Sequence, residues 1–396
     1  MLRPGTLALT ILLAMLSALG PLSMDMYLPS LPDIAHVLHA PIARVQLTVP
    51  SYLIGFAVGQ VIYGPVSDRH GRRPVLLAAV ALYLASTLVC IATQSVTPLI
   101  GARFLQGIGG SGSIVLARAI VRDLYSGVQA ARELSLMGSI SAFAPIVAPM
   151  IGGVLQTAFG WRASFVAMAA FAVIALVVAA RLLPETLRQR ADRPVSLSSV
   201  VGGFGAVLVH RGYLAYLGIL TISYAGLFAW ISGASVVLQG VYGLSSVAFG
   251  FTFALGAAGY MAGSTIAARL VVRLGLDRTM GLGAMMLAAG GLALAAVVAA
   301  GIPGVWLVAA MALYLAGLGL SVPQAMAGAL TPFPDRAGTA ASLMGLVQQA
   351  VAAFVATFVG NYLGRSAWPV AGVVVAMGCL TLVLWAFTRR LREQGR

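Results

Sequence analysis

The sequence predicts an all-α membrane protein of twelve transmembrane helices, arranged as two six-helix halves. Three observations carry this. Apolar residues make up 60% of the chain and charged residues only 9%, with a mean hydropathy of +0.98, far outside the range of soluble domains. Apolar stretches recur at about the 20 residues a spanning helix needs. One long polar interruption falls near mid-chain, between Arg181 and Arg211. A closed β-barrel would instead show alternating segments of about ten residues, and the sequence has none.

In order, the apolar windows fall near 6–28, 45–66, 75–94, 98–121, 134–158 and 161–182 in the first half. In the second half they fall near 213–236, 246–270, 279–300, 304–328, 338–361 and 367–388. The first imitates a signal peptide, with Arg3 before an apolar run, but the run continues to Tyr27 and no small-x-small cleavage site precedes Pro21. It is read as helix 1. The expected organisation is an N-terminal bundle over 1–181, a cytoplasmic linker over 182–211 containing Pro184 and Pro194, and a C-terminal bundle over 212–396 with a short basic tail. A shift of 204 residues superposes Gly55 on Gly259, Gly59 on Gly263, Arg69 on Arg273 and Gly71 on Gly275, an echo between the halves. Parallel six-helix repeats are an architecture of secondary transporters, which bind substrate between the repeats near mid-membrane. Most of the 46 glycines are explained by close helix packing in lipid.

All 24 basic residues are arginine. Arg44, Arg162 and Arg365 fall in outer loops and Arg103 within a helix. The others collect at the N-terminus, at the even-numbered connections and in the tail Arg389, Arg390, Arg392, Arg396. This bias predicts that both termini are cytoplasmic. It also accounts for the net charge of +14 through anionic inner-leaflet lipid, without nucleic acid as a partner. Cys90 and Cys379 sit in apolar helices without motif spacing, so neither a disulfide framework nor a metal site is expected. Lysine is absent, which excludes a Walker A loop and a Schiff base on this chain. The few histidines, among them His36 and His39 in the first outer loop, give no catalytic constellation within the membrane. An enzyme is not expected, nor any cofactor beyond protons as a coupling ion.

Asp25 is the one acidic residue clearly inside an apolar stretch. A charge in hydrocarbon costs roughly 2.5–3.5 kcal/mol on insertion scales, so an acid retained there marks an ion or proton pathway. Asp25 lies about 5 Å from the outer end of its helix and Arg103 about 8 Å from the outer end of helix 4, at about 1.5 Å per residue. Similar depth allows the two to pair, and burial and a neighbouring cation act oppositely on a carboxyl's proton affinity. Other polar or aromatic residues within helices are candidates for a substrate cavity: Tyr27, Tyr52, Phe56, Gln60, Gln106, Ser111, Phe143, Tyr224, Phe228, Gln324, Gln348 and Gln349. Each is equally compatible with packing. Arg118 lines the inner end of helix 4 or anchors it in headgroups, and the sequence does not separate these.

The segment Gly64-Pro65-Val66-Ser67-Asp68-Arg69-His70-Gly71-Arg72-Arg73-Pro74 matches the G-x-x-x-D-R-x-G-R-R signature and resembles the major facilitator superfamily. Here Gly64 permits close helix contact, Asp68 suits the positive N-terminus of a neighbouring helix, and Gly71 allows a tight turn. The resemblance implies the major facilitator fold and a conformational latch on the cytoplasmic side, formed by Gly64, Asp68, Arg69, Gly71 and Arg72 with Asp123. In helix 5, Ala144 to Gly153 resembles the antiporter motif of drug:proton exporters. Alanine stands before Pro149, while Pro145, Pro149, Gly152 and Gly153 provide a bent, small-faced helix expected to pack on Gly256, Gly259 and Gly263. Ser23-Met24-Asp25-Met26-Tyr27-Leu28-Pro29-Ser30-Leu31-Pro32 is similar to the helix 1 signature of the Bcr/CflA subfamily, which includes bicyclomycin and chloramphenicol/florfenicol exporters; a second acid of one relative type is replaced here by Ser17. Arg103-Phe104-Leu105-Gln106-Gly107 matches its R-x-x-Q-G pattern. The resemblance implies proton coupling through Asp25 and Arg103, and export of small drug-like molecules by a monomer in the bacterial inner membrane, in contact with lipid. A proton-coupled uptake symporter, an exporter of a natural metabolite and a passive scaffold or sensor are the alternatives.

Overall fold

The computed structural model describes residues 6–187, 197–333, 336–364 and 366–394, with side chains except those of 128, 131, 139–142, 197–201 and 394. Arg3, Arg188, Arg190, Arg193, Pro194, Arg365 and Arg396, counted above toward topology or the linker, lie outside these residues. The chain divides into two compact units at residues 195/196.

The N-terminal unit begins with α1 (Leu7–Asp25). The helix stops there because Pro29 has no N–H to offer the carbonyl of Asp25 and disfavours helical geometry in the residue before it. A 3₁₀ turn (Leu28–Ser30) and two short helices, α2 (Leu31–Val37) and α3 (Ile42–Gln46), follow. The remaining spans are α4 (Thr48–His70), α5 (Arg72–Ala92), α6 (Val96–Leu124), α7 (Gly127–Phe159) and α8 (Arg162–Leu182). α6 packs along both α4 and α5, and α1 lies against α6, α7 and α8. Leu9, Leu13, Leu16, Leu76, Tyr83, Leu116 and Ile120 belong to its buried core.

In the C-terminal unit, α9 (Leu197–Leu208) lies inside the stretch expected to be linker and packs on α10 (Arg211–Ser235) and α13 (Ala337–Tyr362), with Val207 fully buried. The packed C-terminal unit therefore starts before residue 212, because Leu197–Leu208 is apolar enough to dock. A π-helical turn (Val236–Val241) ends α10. The eighth and ninth expected spans form one 55-residue element, α11 (Ser246–Ala300), broken only at Gly275. At about 1.5 Å per residue this exceeds twice the ~30 Å hydrocarbon core, so α11 comprises two spans hinged at that glycine. α12 (Val305–Leu330), α14 (Trp368–Phe387) and the short α15 (Arg389–Gln394) complete the unit.

The internal echo has a structural counterpart. Gly71 (φ 101°, ψ 152°) and Gly275 (φ 77°, ψ 170°) occupy the same region of backbone space, open essentially to glycine alone, at equivalent junctions of the two units. Gly55 and Gly59 of α4 lie against the backbone of α6, as Gly259 and Gly263 of α11 lie against that of α12. Gly64 makes no such contact, since a Cβ there would meet nothing within 4 Å. The close approach read into Gly64 belongs to Gly55 and Gly59, where α4 and α6 cross.

Candidate functional site

Asp25 is the last residue of α1 and is 5% exposed. The turn that follows it is held from two sides. The Met26 carbonyl accepts a hydrogen bond from Ser164 Oγ of α8 at 3.3 Å, and Gly152 of α7 lies directly against the same carbonyl, leaving no room for a side chain. The glycine of the antiporter-like motif is thus seated one residue from the carboxylate. Gly259 and Gly263, on which this motif was expected to pack, lie against the backbone of α12.

Arg103 is fully buried on α6. Its guanidinium lies over the rings of Tyr27 at 4.2 Å and Tyr52 at 4.4 Å. Its Nη1 donates to Gln106 Oε1 at 2.5 Å, and Gln106 Nε2 donates to Thr87 Oγ1 at 2.7 Å. Tyr27 shares a hydrogen bond with Thr48 at 3.1 Å, Tyr52 donates to the Gly20 carbonyl at 3.2 Å, and Ser23 meets the Tyr83 hydroxyl at 2.5 Å. Four helices therefore converge on one polar cluster inside the unit. Among the described residues no ion pair joins Asp25 to Arg103. The aromatic rings and Gln106 take the place expected for the carboxylate.

Of the other cavity candidates in this unit, Phe56 packs on Tyr52 at 6.1 Å and Ser111 faces Gly59. Gln60 has its Oε1 buried without a hydrogen-bond partner, and Phe143 is 55% exposed, away from the cluster. In the C-terminal unit Tyr224 and Phe228 stack at 5.0 Å on α10. Gln324 is buried on α12; Gln348 and Gln349 lie on α13, the former partly and the latter largely buried. Arg118 is exposed on α6, on the helical face it shares with Ile114, which covers Gly20 of α1.

At the other end of the N-terminal unit the Asp68–Arg72 motif forms one network. Arg72 reaches Asp68 at 2.5 Å, Asp123 at 2.8 Å and Ser67 Oγ at 2.6 Å. Asp123 also accepts from Thr186 Oγ1 at 3.2 Å. Arg69 is exposed. The acid at a helix N-terminus is Glu185 rather than Asp68: its carboxylate accepts the first N–H groups of α5 from Arg72 at 2.9 Å and Arg73 at 3.2 Å, where unpaired donors and the helix dipole favour an anion. The C-terminal unit carries a related clasp. Asp277, just after the Gly275 hinge, pairs with the fully buried Arg392 of α15 at 2.8 Å, and Arg392 is further held by Thr388 Oγ1 and the Trp385 carbonyl. Sequence reading missed Glu185, Thr186, Ser164, Thr87, Asp277 and Arg392. It also passed over Glu133, in the N-terminal part of α7, which accepts from Thr10 of α1 at 2.6 Å.

These features agree with what the chain resembles. A model of the Major Facilitator Superfamily matches residues 13–357. Multidrug resistance protein D of Escherichia coli (strain K12) is 32% identical over 398 residues, with 100% of both chains covered. The Bicyclomycin resistance protein homolog of Haemophilus influenzae is 30% identical over 398 residues, with 99% of both covered, and its name falls within the Bcr/CflA group that the Ser23–Pro32 signature resembles. A crystal structure of a D-xylose-proton symporter superposes with a TM-score of 0.79 over 98% of each chain at 19% identity, a likeness of fold. Two six-span units hinged at matching glycines, and a family model covering most of the sequence, establish a multi-pass membrane protein: the chain belongs to the Major Facilitator Superfamily of transporters.

Proposed function

We propose that this protein is a proton-coupled antiporter of the bacterial inner membrane that exports small, mostly apolar drug-like molecules by alternating access, as a monomer with both termini cytoplasmic and no cofactor. The observation that carries the reading is the placement of Asp25. It is a buried carboxylate at the broken end of α1, with the glycine of the antiporter-like motif against the adjoining carbonyl. The names of the full-length relatives support the substrate class. The likeness to a sugar symporter bears on fold and leaves the direction of transport to the motif.

In the proposed cycle Asp25 takes up a proton from the outer side, and the carrier turns inward. Release of that proton to the cytoplasm accompanies substrate capture, and the loaded carrier returns outward. Arg103 assists by fixing Tyr27 and Tyr52 beside the carboxylate. Asp68, Arg72 and Asp123 serve as the cytoplasmic latch, a role supported by their convergence in one network.

The test is a susceptibility and accumulation panel, with bicyclomycin and phenicols among the compounds, comparing the protein with Asp25→Asn. The variant should reach the membrane and lose active efflux. Unchanged resistance in that variant would remove the central assignment, and substrate uptake driven inward by a proton gradient would favour the symporter.

A further inference from the structure

We infer that Arg103 holds a small monovalent anion, of halide size, on the edge of its guanidinium formed by Nε and Nη2. The side chain is fully buried. The Tyr27 and Tyr52 rings lie against it at 4.2 and 4.4 Å, and Nη1 is taken by Gln106, whose amide is fixed in that sense by its own bond to Thr87. Nε and Nη2 have no hydrogen-bond partner among the described residues. These two N–H groups point the same way and form the side-on fork with which arginine grips an anion.

Charge decides what belongs there. An arginine does not give up its proton in a protein, and an uncompensated buried charge costs several kcal/mol. The ionisable groups around the guanidinium are Tyr27 of α1's extension, Tyr52 of α4, and Tyr83 and Cys90 of α5. None of these is a carboxylate, and Asp25 forms no ion pair with Arg103 among the described residues. A water molecule satisfies the two donors and leaves the charge; an anion does both. Complete burial beside two aromatic rings restricts it to a small species. The inference rests on the surroundings of Arg103 and stands apart from the direction of transport.

The experiment uses the purified full-length protein. Thermal unfolding is followed while sodium gluconate is replaced stepwise by sodium chloride or bromide at constant ionic strength. The wild type should show a saturable rise in Tm with halide. Arg103→Gln should show none. Gln106→Glu, which places a carboxylate on Nη1 and supplies the counter-charge internally, should weaken the halide response by about tenfold or more, the factor for each 1.4 kcal/mol. If Arg103→Gln does not fold, Gln106→Glu and an anomalous bromide peak beside Nε and Nη2 in wild-type crystals take its place. Identical Tm in gluconate and chloride, an unchanged response in the variants, or no bromide peak at the fork overturns the assignment. None of these outcomes touches the role of Asp25, which is read from drug resistance.

Discussion

Alanine in place of Gly152 measures how tightly the antiporter-like motif is bound to the turn after Asp25. A Cβ at this position would stand 2.8 Å from the Met26 carbonyl carbon and 3.3 Å from its Cα, and closer still to the oxygen. Ordinary carbon contacts are ~3.5–4.0 Å, so α7 and the turn after Asp25 must separate by at least about 0.7 Å. The obstacle is backbone, which cannot rotate aside. Such overpacking costs about 1–3 kcal/mol, against which helix propensity returns up to ~1 kcal/mol for glycine to alanine. Gly101 of α6 is the control: it is exposed, and a Cβ there meets nothing within 4 Å, so only the propensity gain remains. The two variants should thus differ by about 1–3 kcal/mol. At roughly 2–4 °C per kcal/mol for a unit of this size, Gly152→Ala should unfold about 2–12 °C below Gly101→Ala. Thermal unfolding in detergent measures this, and resistance should fall in Gly152→Ala alone. Equal Tm values with full resistance in both would show that the seat of Gly152 on Met26 does not constrain the protein.

Three further outcomes follow from the same geometry. In the network around Arg72, Asp123→Asn should destabilise more than Asp68→Asn: the Asp123 side chain is 19% exposed and accepts from both Arg72 and Thr186, whereas that of Asp68 is 45% exposed. Chemical or thermal unfolding should give about 1.5–3 kcal/mol for the former and below ~1 kcal/mol for the latter, and equal losses would contradict the assignment. Glu185→Gln keeps the shape but removes the anion from the first turn of α5, so hydrogen exchange at Arg72 and Arg73 should accelerate, and unchanged protection would show that the cap contributes nothing. Finally, one coupling carboxylate implies one proton per neutral substrate, so transport should be electrogenic, drawing about 2.3 kcal/mol per 100 mV and about 1.4 kcal/mol per pH unit. Proteoliposomes with imposed potentials test this. Indifference to voltage would refute a single-proton cycle, and a two-charge response would direct attention to Glu133.

The spans were legible because hydropathy is summed over about 20 residues and survives any local ambiguity. Their punctuation was legible at Gly71, where a tight turn was expected, and less so at the end of α1, which falls at Asp25 rather than about three residues beyond it. The apolar helix α9 was not. Arginines and prolines on either side of Leu197–Leu208 gave the whole stretch the polar character of a linker, while docking depends on what α10 and α13 offer it. The same contrast runs through the latch. Arg72 and Asp68 announce themselves by sharing a short motif, but Glu185 stands 113 residues from the backbone it caps and Arg392 115 residues from Asp277, distances over which a single sequence carries no pairing signal.

Arg103 shows where residue types stop determining geometry. An acid and an arginine at matching depth in neighbouring helices suggest an ion pair, and depth is all that periodicity supplies. What directs the guanidinium elsewhere is lateral. Tyr27 follows the break in α1, Tyr52 lies on α4, and both rings lie against Arg103 while Gln106 holds it from its own helix one turn on. Cation–π contacts of this kind contribute up to about 2 kcal/mol each when desolvated, comparable to a hydrogen bond to a charged group. They hold the arginine in place and leave its counter-charge to come from elsewhere. The rings and Gln106 thus do the positioning that an ion pair would have done, and Asp25 is left without an ion pair among the described residues.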